Sequence, residues 1–496
     1  MIEVNSMYDY IIIGAGSAGS IVASKLADSD SNVSILLIEA GGTPPNPIEM
    51  FTPSCWFEVL QEYPEIDWGY ESQPQPNLNN RVIKLSQAKV LGGSALHNAT
   101  VYVRGGQSDF NDWGNLAQGW SWSDVQAYFE SVESTMKVLV GQTDNFINDL
   151  FAAAKEYGLP ENPNYNTSES QYGYAPFQFN NNITTDYQLC RETTYTTFWP
   201  EKYPNVTLLT RALVTKILFH GTQAVGVEYI QGNKKYSVSV ANEIILSAGA
   251  IATPKILMLS GIGDEDELAK IDIETLFNVK EVGKNLYDDL FVSVGFSIPD
   301  HKSVPIYPYS LAPAVIFGST KGNDSIVDIE CSVGVGTLKG FPGPRNSFWL
   351  WPNVMHLQSK GTVSLRSNSP DDHPLINPGY LNQTEDIESC KAALQLGIEI
   401  GNKPSLSQWR KEQISPQPGT NLEDYIRDTA NTTYHYCGTC RMGSDSNSVV
   451  DTELKVRGTS GLRVIDASVF PKPITANTAA ATMMIAYKGA DIIRSC

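Results

Sequence analysis

Asp9-Tyr10-Ile11-Ile12-Ile13-Gly14-Ala15-Gly16-Ser17-Ala18-Gly19 begins the stretch that decides the fold, and it closes with Val33-Ser34-Ile35-Leu36-Leu37-Ile38-Glu39-Ala40-Gly41-Gly42. The first apolar run is short and β-branched, which suits a strand buried on both faces. The glycines follow at G-x-G-x-x-G spacing. Gly14 permits a tight turn, Gly16 lets the backbone approach a pyrophosphate, and Gly19 lets a helix pack close to the strand. A helix is expected over 17–27, with Ala18, Ile21, Val22 and Leu26 on one side. The N–H groups at its start, around Ser17 and Ala18, suit phosphate oxygens. Residues 35–38 read as a second buried strand that ends in Glu39, an acid placed to accept from ribose hydroxyls. The stretch predicts a dinucleotide site. Glu39 disfavours a 2′-phosphate and hence NADP, leaving FAD and NAD.

Working outward, the chain has 496 residues, enough for more than one domain. Its net charge of −19 argues against nucleic acid or an anionic membrane as a partner, since both require a basic face. No window resembles a transmembrane helix. Met1-Ile2-Glu3-Val4-Asn5 lacks the basic start and apolar run of a signal peptide, so a cytoplasmic location is expected. Seven cysteines, an odd number in a long chain, do not suggest a disulfide framework. Cys437-Gly438-Thr439-Cys440 has redox or metal spacing, but no second C-x-x-C accompanies it and His435 is the only nearby histidine. No metal site is expected.

Helices are expected over 121–136, 145–157, 253–260 (with Pro254 in its first turn), 387–401 and 482–493. Strand patterns recur over 206–230, at 244–250, where the run ends in small residues, and at 462–466. Alternating segments at 293–298, 326–333 and 361–365 suggest an antiparallel sheet. Residues 43–53 read as a proline-rich loop. Trp56, Phe57, Trp68, Trp349 and Trp351 are candidates for a pocket lining, with a core or domain-interface role as the alternative.

Four ordered blocks are similar to the glucose-methanol-choline (GMC) oxidoreductases, from Tyr8 to Ile493. They are the opening site through Gly42; Lys89-Val90-Leu91-Gly92-Gly93-Ser94 through Asn98 and Val101-Tyr102-Val103-Arg104-Gly105; Gly249-Ala250-Ile251-Ala252-Thr253-Pro254 through Gly263; and His435-Tyr436-Cys437-Gly438-Thr439-Cys440-Arg441-Met442-Gly443 with the chain's close. The resemblance implies FAD rather than NAD. It implies an α/β, Rossmann-like FAD-binding domain over 1–159, 206–289 and 449–496. An α+β substrate domain, an antiparallel sheet backed by helices, would occupy 160–205 and 290–448. By the same resemblance Gly14, Gly16, Ser17, Ala18, Gly19, Glu39 and Ala40 would hold the ADP half, with Val214 facing the adenine. Gly92, Gly93, Asn98 and Val101 would line the diphosphate and flavin ring. Ala248, Asp466 and Ala467 would lie along the cofactor, and Asn477 and Thr478 beside the ring.

Alcohol oxidation by a flavin needs a base for the hydroxyl proton, a group to hold the alkoxide, and hydride transfer to flavin N5. Histidine suits the base, with an unperturbed pKa near working pH. His435 falls at the family's catalytic histidine, and Asn477 at the second active-site position, so His435 is expected as base and Asn477 as orienter. Leu96-His97-Asn98 matches the family's choline-oxidising branch, where a histidine before the asparagine links to the flavin. The match implies an 8α-linked FAD at His97, the alternative being a noncovalent flavin packed against it. Asp289 replaces the histidine that usually ends Val282-Gly283-Lys284-Asn285-Leu286-Tyr287-Asp288, a change read as leaving catalysis untouched. The function expected is oxidation of a small-molecule alcohol, with O₂ or another acceptor taking the electrons. Hydroxynitrile lyase and photodecarboxylase members of the same fold are the alternatives.

Overall fold

The continuous burial of Ile11, Ile12 and Ile35–Ile38 is what a parallel sheet covered on both faces requires. In the computed structural model, which describes residues 2–46, 51–184, 188–322, 324, 326–336 and 343–495, these strands lie side by side. Tyr10 to Ile13 run parallel to Ile35 to Ile38 on one edge and to Glu243 to Leu246 on the other. The full sheet has seven strands, in the order Val206–Leu209, Ile35–Ile38, Ile2–Ile13, Lys234–Leu246, Gln223–Gln231 and Ala212–His220, with Leu462–Val464 also on Lys234–Leu246. The late strand is clamped there by Arg463, 1 % exposed, whose Nε and Nη2 donate to the two carboxylate oxygens of Glu243 at 2.7 and 3.1 Å.

The first helix, Ser17–Ser29, buries Ala18, Ile21, Val22 and Leu26 as expected. Gly19 sits where a Cβ would strike the Gly14 carbonyl oxygen and lie 3.4 Å from Ile12. The closing helix Thr478–Arg494 packs against this helix, with Lys25 Nζ 4.4 Å from the centre of the Tyr487 ring.

An eight-stranded antiparallel sheet forms the second layer, in the order Glu412–Ser415, Val294–Ser297, Ser347–Val354, Ile329–Val335, Val315–Gly318 and Gly173–Ala175. Leu290–Phe291 extends it beside Ser347–Val354, and Asn431–Thr432 pairs in turn with Leu290–Phe291. Helix Thr384–Gly401 backs it, close enough that a Cβ at Gly401 would strike the Phe296 ring.

Several expectations change here. Helix Asn145–Tyr157 has the expected bounds but packs on the second sheet rather than the first, because Phe146 meets Phe348 and Trp409 edge-on at 5.3 and 5.4 Å. Thr194–Phe198, expected with the substrate domain, docks on the first helix, where Ser24 Oγ donates to the Phe198 carbonyl at 3.1 Å. Thr362–Ser364 forms a separate ribbon with Leu375–Asn377 instead of joining the large sheet. The helix expected from 253 is Gly249–Leu259, which puts Pro254 inside it. Proline cannot donate to the carbonyl four residues back. That carbonyl, of Ala250, accepts from Thr439 Oγ1 at 2.6 Å instead. Residues 47–50 of the proline-rich loop, the Phe57 side chain and Cys496 lie outside the described residues. Among the described residues no helix is long and apolar enough to cross a membrane.

Gly19→Ala tests the helix–strand seat. The added methyl is expected to cost about 1–3 kcal/mol, as overpacking does, and to lower the thermal midpoint; an unchanged midpoint would contradict the close approach.

Candidate active site

The parallel strands of the first sheet end at Ile13, Ile38 and Leu246, and Ile13, Ile38 and Ser247, the residue after Leu246, line a cavity of about 920 Å³. Clefts at strand ends are where open α/β sheets bind ligands, and this volume is near the top of the usual range of about 300–1,000 Å³. Gly14, at φ +100°, turns the chain sharply where a Cβ would strike the Ser247 carbonyl. Gly16 and Gly93 face each other, so that a Cβ at Gly93 would lie 2.7 Å from Gly16 Cα. Gly92 N donates to the Ala15 carbonyl at 2.9 Å. The two glycine clusters thus form one wall.

Gly14, Gly16, Ser17, Ala18, Glu39, Ala40, Gly93 and Val214 line this cavity. So do His97, Asn98, Val101, Ala248, Asp466, Ala467, Asn477, Thr478 and His435. Gly19 and Gly92 do not. They let the neighbouring backbones close up, and they face protein rather than the cavity. Glu39 is buried, and its carboxylate accepts from Ala15 N at 2.9 Å and Gly41 N at 2.8 Å, which holds the glycine turn in place. Asp466 accepts from Gly249 N, Thr253 Oγ1 and Ser468 N, and so joins the late strand to the start of helix Gly249–Leu259.

His97 lies at the end of the turn Gly93–Leu96 and is 8 % exposed. Burial pulls its pKa down to about 4, with Asp67 opposing and Arg191 adding, so the imidazole is neutral at pH 7. Its Nε2 is buried without a partner. Behind it, Arg191 Nη1 donates to the Ala95 carbonyl at 3.1 Å, the Asn98 carbonyl at 2.6 Å and Asn98 Oδ1 at 2.7 Å. Burial pulls this guanidinium's pKa down to about 9.

His435 Nε2 is 3.1 Å from Asn477 Nδ2. Asn477 occupies the N-cap position of the closing helix without a side-chain capping bond, and its Oδ1 is buried without a partner. On the other side of the ring, Nδ1 is 2.9 Å from Asp289 Oδ2. The substitution of Asp289 for histidine therefore reaches the His435–Asn477 pair directly, contrary to expectation. Asp288 Oδ1 accepts the His435 backbone N–H at 2.9 Å, and its Oδ2 accepts the hydroxyls of Tyr380 and Thr432.

The large sheet closes the cavity with Glu330, Ser332, Trp349, Trp351 and Asn353. Glu330 pairs with Asn353, Ser332 with Trp351 and Gly334 with Trp349, so these side chains share one face. Burial pushes the Glu330 carboxyl up to about 7. Trp56 and Trp68 also line the cavity. Sequence reasoning missed Asp288, Glu330 and Arg191. An acid between Ile329 and Cys331 in a fully buried strand is a readable signal for Glu330. The adjacent acids at 288 and 289 are another; Arg191, in a polar excursion, carries none. Cys437 and Cys440 are buried thiols whose pKa values burial raises.

The GMC oxidoreductase family models match residues 8–291 and 358–486. The oxygen-dependent choline dehydrogenase of Escherichia coli is 33 % identical over 555 residues, spanning 98 % of this chain and 95 % of its own. Among solved structures, pyridoxine 4-oxidase from Mesorbium loti superposes with a TM-score of 0.91 at 27 % identity, over 99 % of both chains. An FAD-dependent oxidoreductase from Chaetomium thermophilum does so at 0.87 and 25 %, over 98 % of this chain and 99 % of its own. The chain belongs to the GMC oxidoreductases, enzymes that act on CH–OH groups.

Proposed function

We propose that this chain oxidises an alcohol to an aldehyde or ketone, with His435 taking the hydroxyl proton and Asn477 orienting the substrate oxygen. The observation that carries the reading is the pair at the cavity wall, His435 Nε2 beside Asn477 at 3.1 Å. A neutral imidazole nitrogen accepts the proton, and an amide both donates to and accepts from an oxygen.

Family membership and likeness to an FAD-dependent oxidoreductase support FAD as the cofactor. The residues present fit that group. The glycine wall carries no side chains to obstruct it, and His97 Nε2, Asn477 Oδ1 and Gln87 Oε1 are buried polar atoms without partners on residues that line the cavity. Gly14, Gly16, Ser17, Glu39 and Val214 would hold the nucleotide half, and Gly93, His97, Asn98, Val101 and Thr478 the flavin half. Bound there, FAD supplies the acceptor for the hydride that leaves the substrate carbon. His97 would carry a covalent 8α link, a reading supported by its neutral ring and unpartnered Nε2.

For substrate, we read a small alcohol bearing a cation, as in the choline relatives. Glu330 offers a carboxyl and Trp349 and Trp351 offer ring faces along one strand pair. A cation bound there would hold Glu330 ionised, since an opposite charge favours the charged form.

His435→Ala is expected to lower kcat by about 10²-fold or more, as loss of a general base does; near-normal turnover would remove His435 from the role. Anaerobic addition of substrate should bleach the flavin, whereas consumption of substrate with the flavin still oxidised would indicate a lyase. Acid precipitation should leave the yellow colour in the pellet, and colour in the supernatant would refute the link to His97. A quaternary-ammonium alcohol should exceed its neutral carbon isostere in kcat/KM by about tenfold, the scale of a desolvated cation–π contact; equal values would discard the cationic substrate.

A further inference from the structure

The carboxylates of Asp288 and Asp289 hold His435 in different ways. Asp288 takes the backbone N–H and fixes the chain; Asp289 reaches the ring at Nδ1. Thr433 Oγ1 is 3.1 Å from the same nitrogen and donates to the Asp289 carbonyl at 3.2 Å. With its hydrogen engaged there, Thr433 presents only lone pairs to the ring. Both neighbours of Nδ1 are then acceptors, so Nδ1 carries the hydrogen and Nε2 the lone pair. The opposite edge agrees, because the amide NH₂ of Asn477 is the group that faces Nε2.

We infer that Asp289 is a positioning residue for alcohol oxidation: it fixes His435 in the Nδ1–H tautomer and offsets the charge of the imidazolium formed when Nε2 takes the proton. The inference rests on the reading of His435 as the base. In the step the alcohol O–H bond breaks, an Nε2–H bond forms, and the electron pair stays on the alkoxide oxygen. No proton passes to Asp289, which remains a carboxylate, as in the Asp–His pair of serine hydrolases.

The ionisable groups around the ring are Asp288 and Asp289, Glu330 from the large sheet, Tyr380 through Asp288, and Tyr434, Tyr436 and Cys437 beside it in the chain, with His356 interacting with Asp289. Burial pulls the His435 pKa down, but the Asp289 hydrogen bond and charge, then Glu330 and Asp288, outweigh it, so the value lies above the ordinary 6.5. A base with a raised pKa becomes free only as pH climbs past that pKa, so kcat/KM should rise with pH through it.

Asp289→Asn removes the charge and keeps the shape. The rising limb is expected to move about one pH unit lower, with kcat down about tenfold or more and KM nearly unchanged. Asp289→Glu should restore part of kcat and return the limb toward the wild-type position. A limb that stays in place in Asp289→Asn, or a glutamate variant no better than the asparagine one, would overturn the inference. Independently of any variant, nitrogen-15 NMR of the holoenzyme above the His435 pKa should show Nδ1 protonated and Nε2 bare; the reverse would also overturn it. An inactive His435→Ala beside an unchanged Asp289→Asn would sink only this inference, whereas an active His435→Ala would sink the base reading itself.

Discussion

Two stretches of bare backbone meet at Gly16 and Gly93, and the cavity depends on their meeting. No side chain separates them, and a methyl on Gly93, already at φ +59°, would fall 2.7 Å from Gly16 Cα. The contact is reinforced on both flanks, by Gly92 N to the Ala15 carbonyl and Leu91 N to the Gly42 carbonyl, each 2.9 Å. A wall of peptide groups without side chains can approach a polar ligand closely and offer it N–H dipoles. Glu39 fixes the same turn by accepting from Ala15 and Gly41, so the acid and the glycines work as one unit.

The opposite wall faces a different constraint, the cost of burying carboxylates. An unpaired buried ion costs several kcal/mol, and hydrogen bonds or an opposite charge must offset it. The three acids near His435 meet this cost differently. Asp288 is surrounded by donors. Asp289 has the imidazole. Glu330 has an oxygen without a partner and is pushed toward neutrality. Three identical functional groups thus meet burial with three different sets of neighbours.

Local pattern made the first sheet legible. Continuous β-branched runs and a helical apolar face are properties of a few adjacent residues, and Ile35–Ile38 and Asn145–Tyr157 form with the expected bounds. Adjacency was less legible. The alternation around Thr362–Ser364 signals a strand but does not say which strand pairs with it. Asn145–Tyr157 is readable as a helix, yet its partner depends on Phe348 and Trp409, far along the chain. The same limit governs the site. His435 and Asn477 stand out through family resemblance, whereas Asp289 reaches His435 across 146 positions by tertiary approach alone. Pro254 reads as a helix opener because the hydroxyl of Thr439, which satisfies the abandoned carbonyl of Ala250, lies 189 positions from it in sequence.

Arg463 docks the strand Leu462–Val464 on a sheet whose other members are finished by residue 246, and Asn477 occupies the N-cap position of the last helix. This order bears on synthesis. At a translation rate of about 5–20 residues per second, the strand ending at Ile13 waits about 20–90 s before Asn477 exists. Once Leu246 is made, the sheet has an unpaired edge at Ile244 to Leu246 until Leu462–Val464 follows, and the first helix lacks the closing helix that packs on it. Exposed strand edges and apolar faces invite wrong pairing. The nascent chain is therefore most vulnerable to misassociation in the period before the strand Leu462–Val464 and the closing helix emerge.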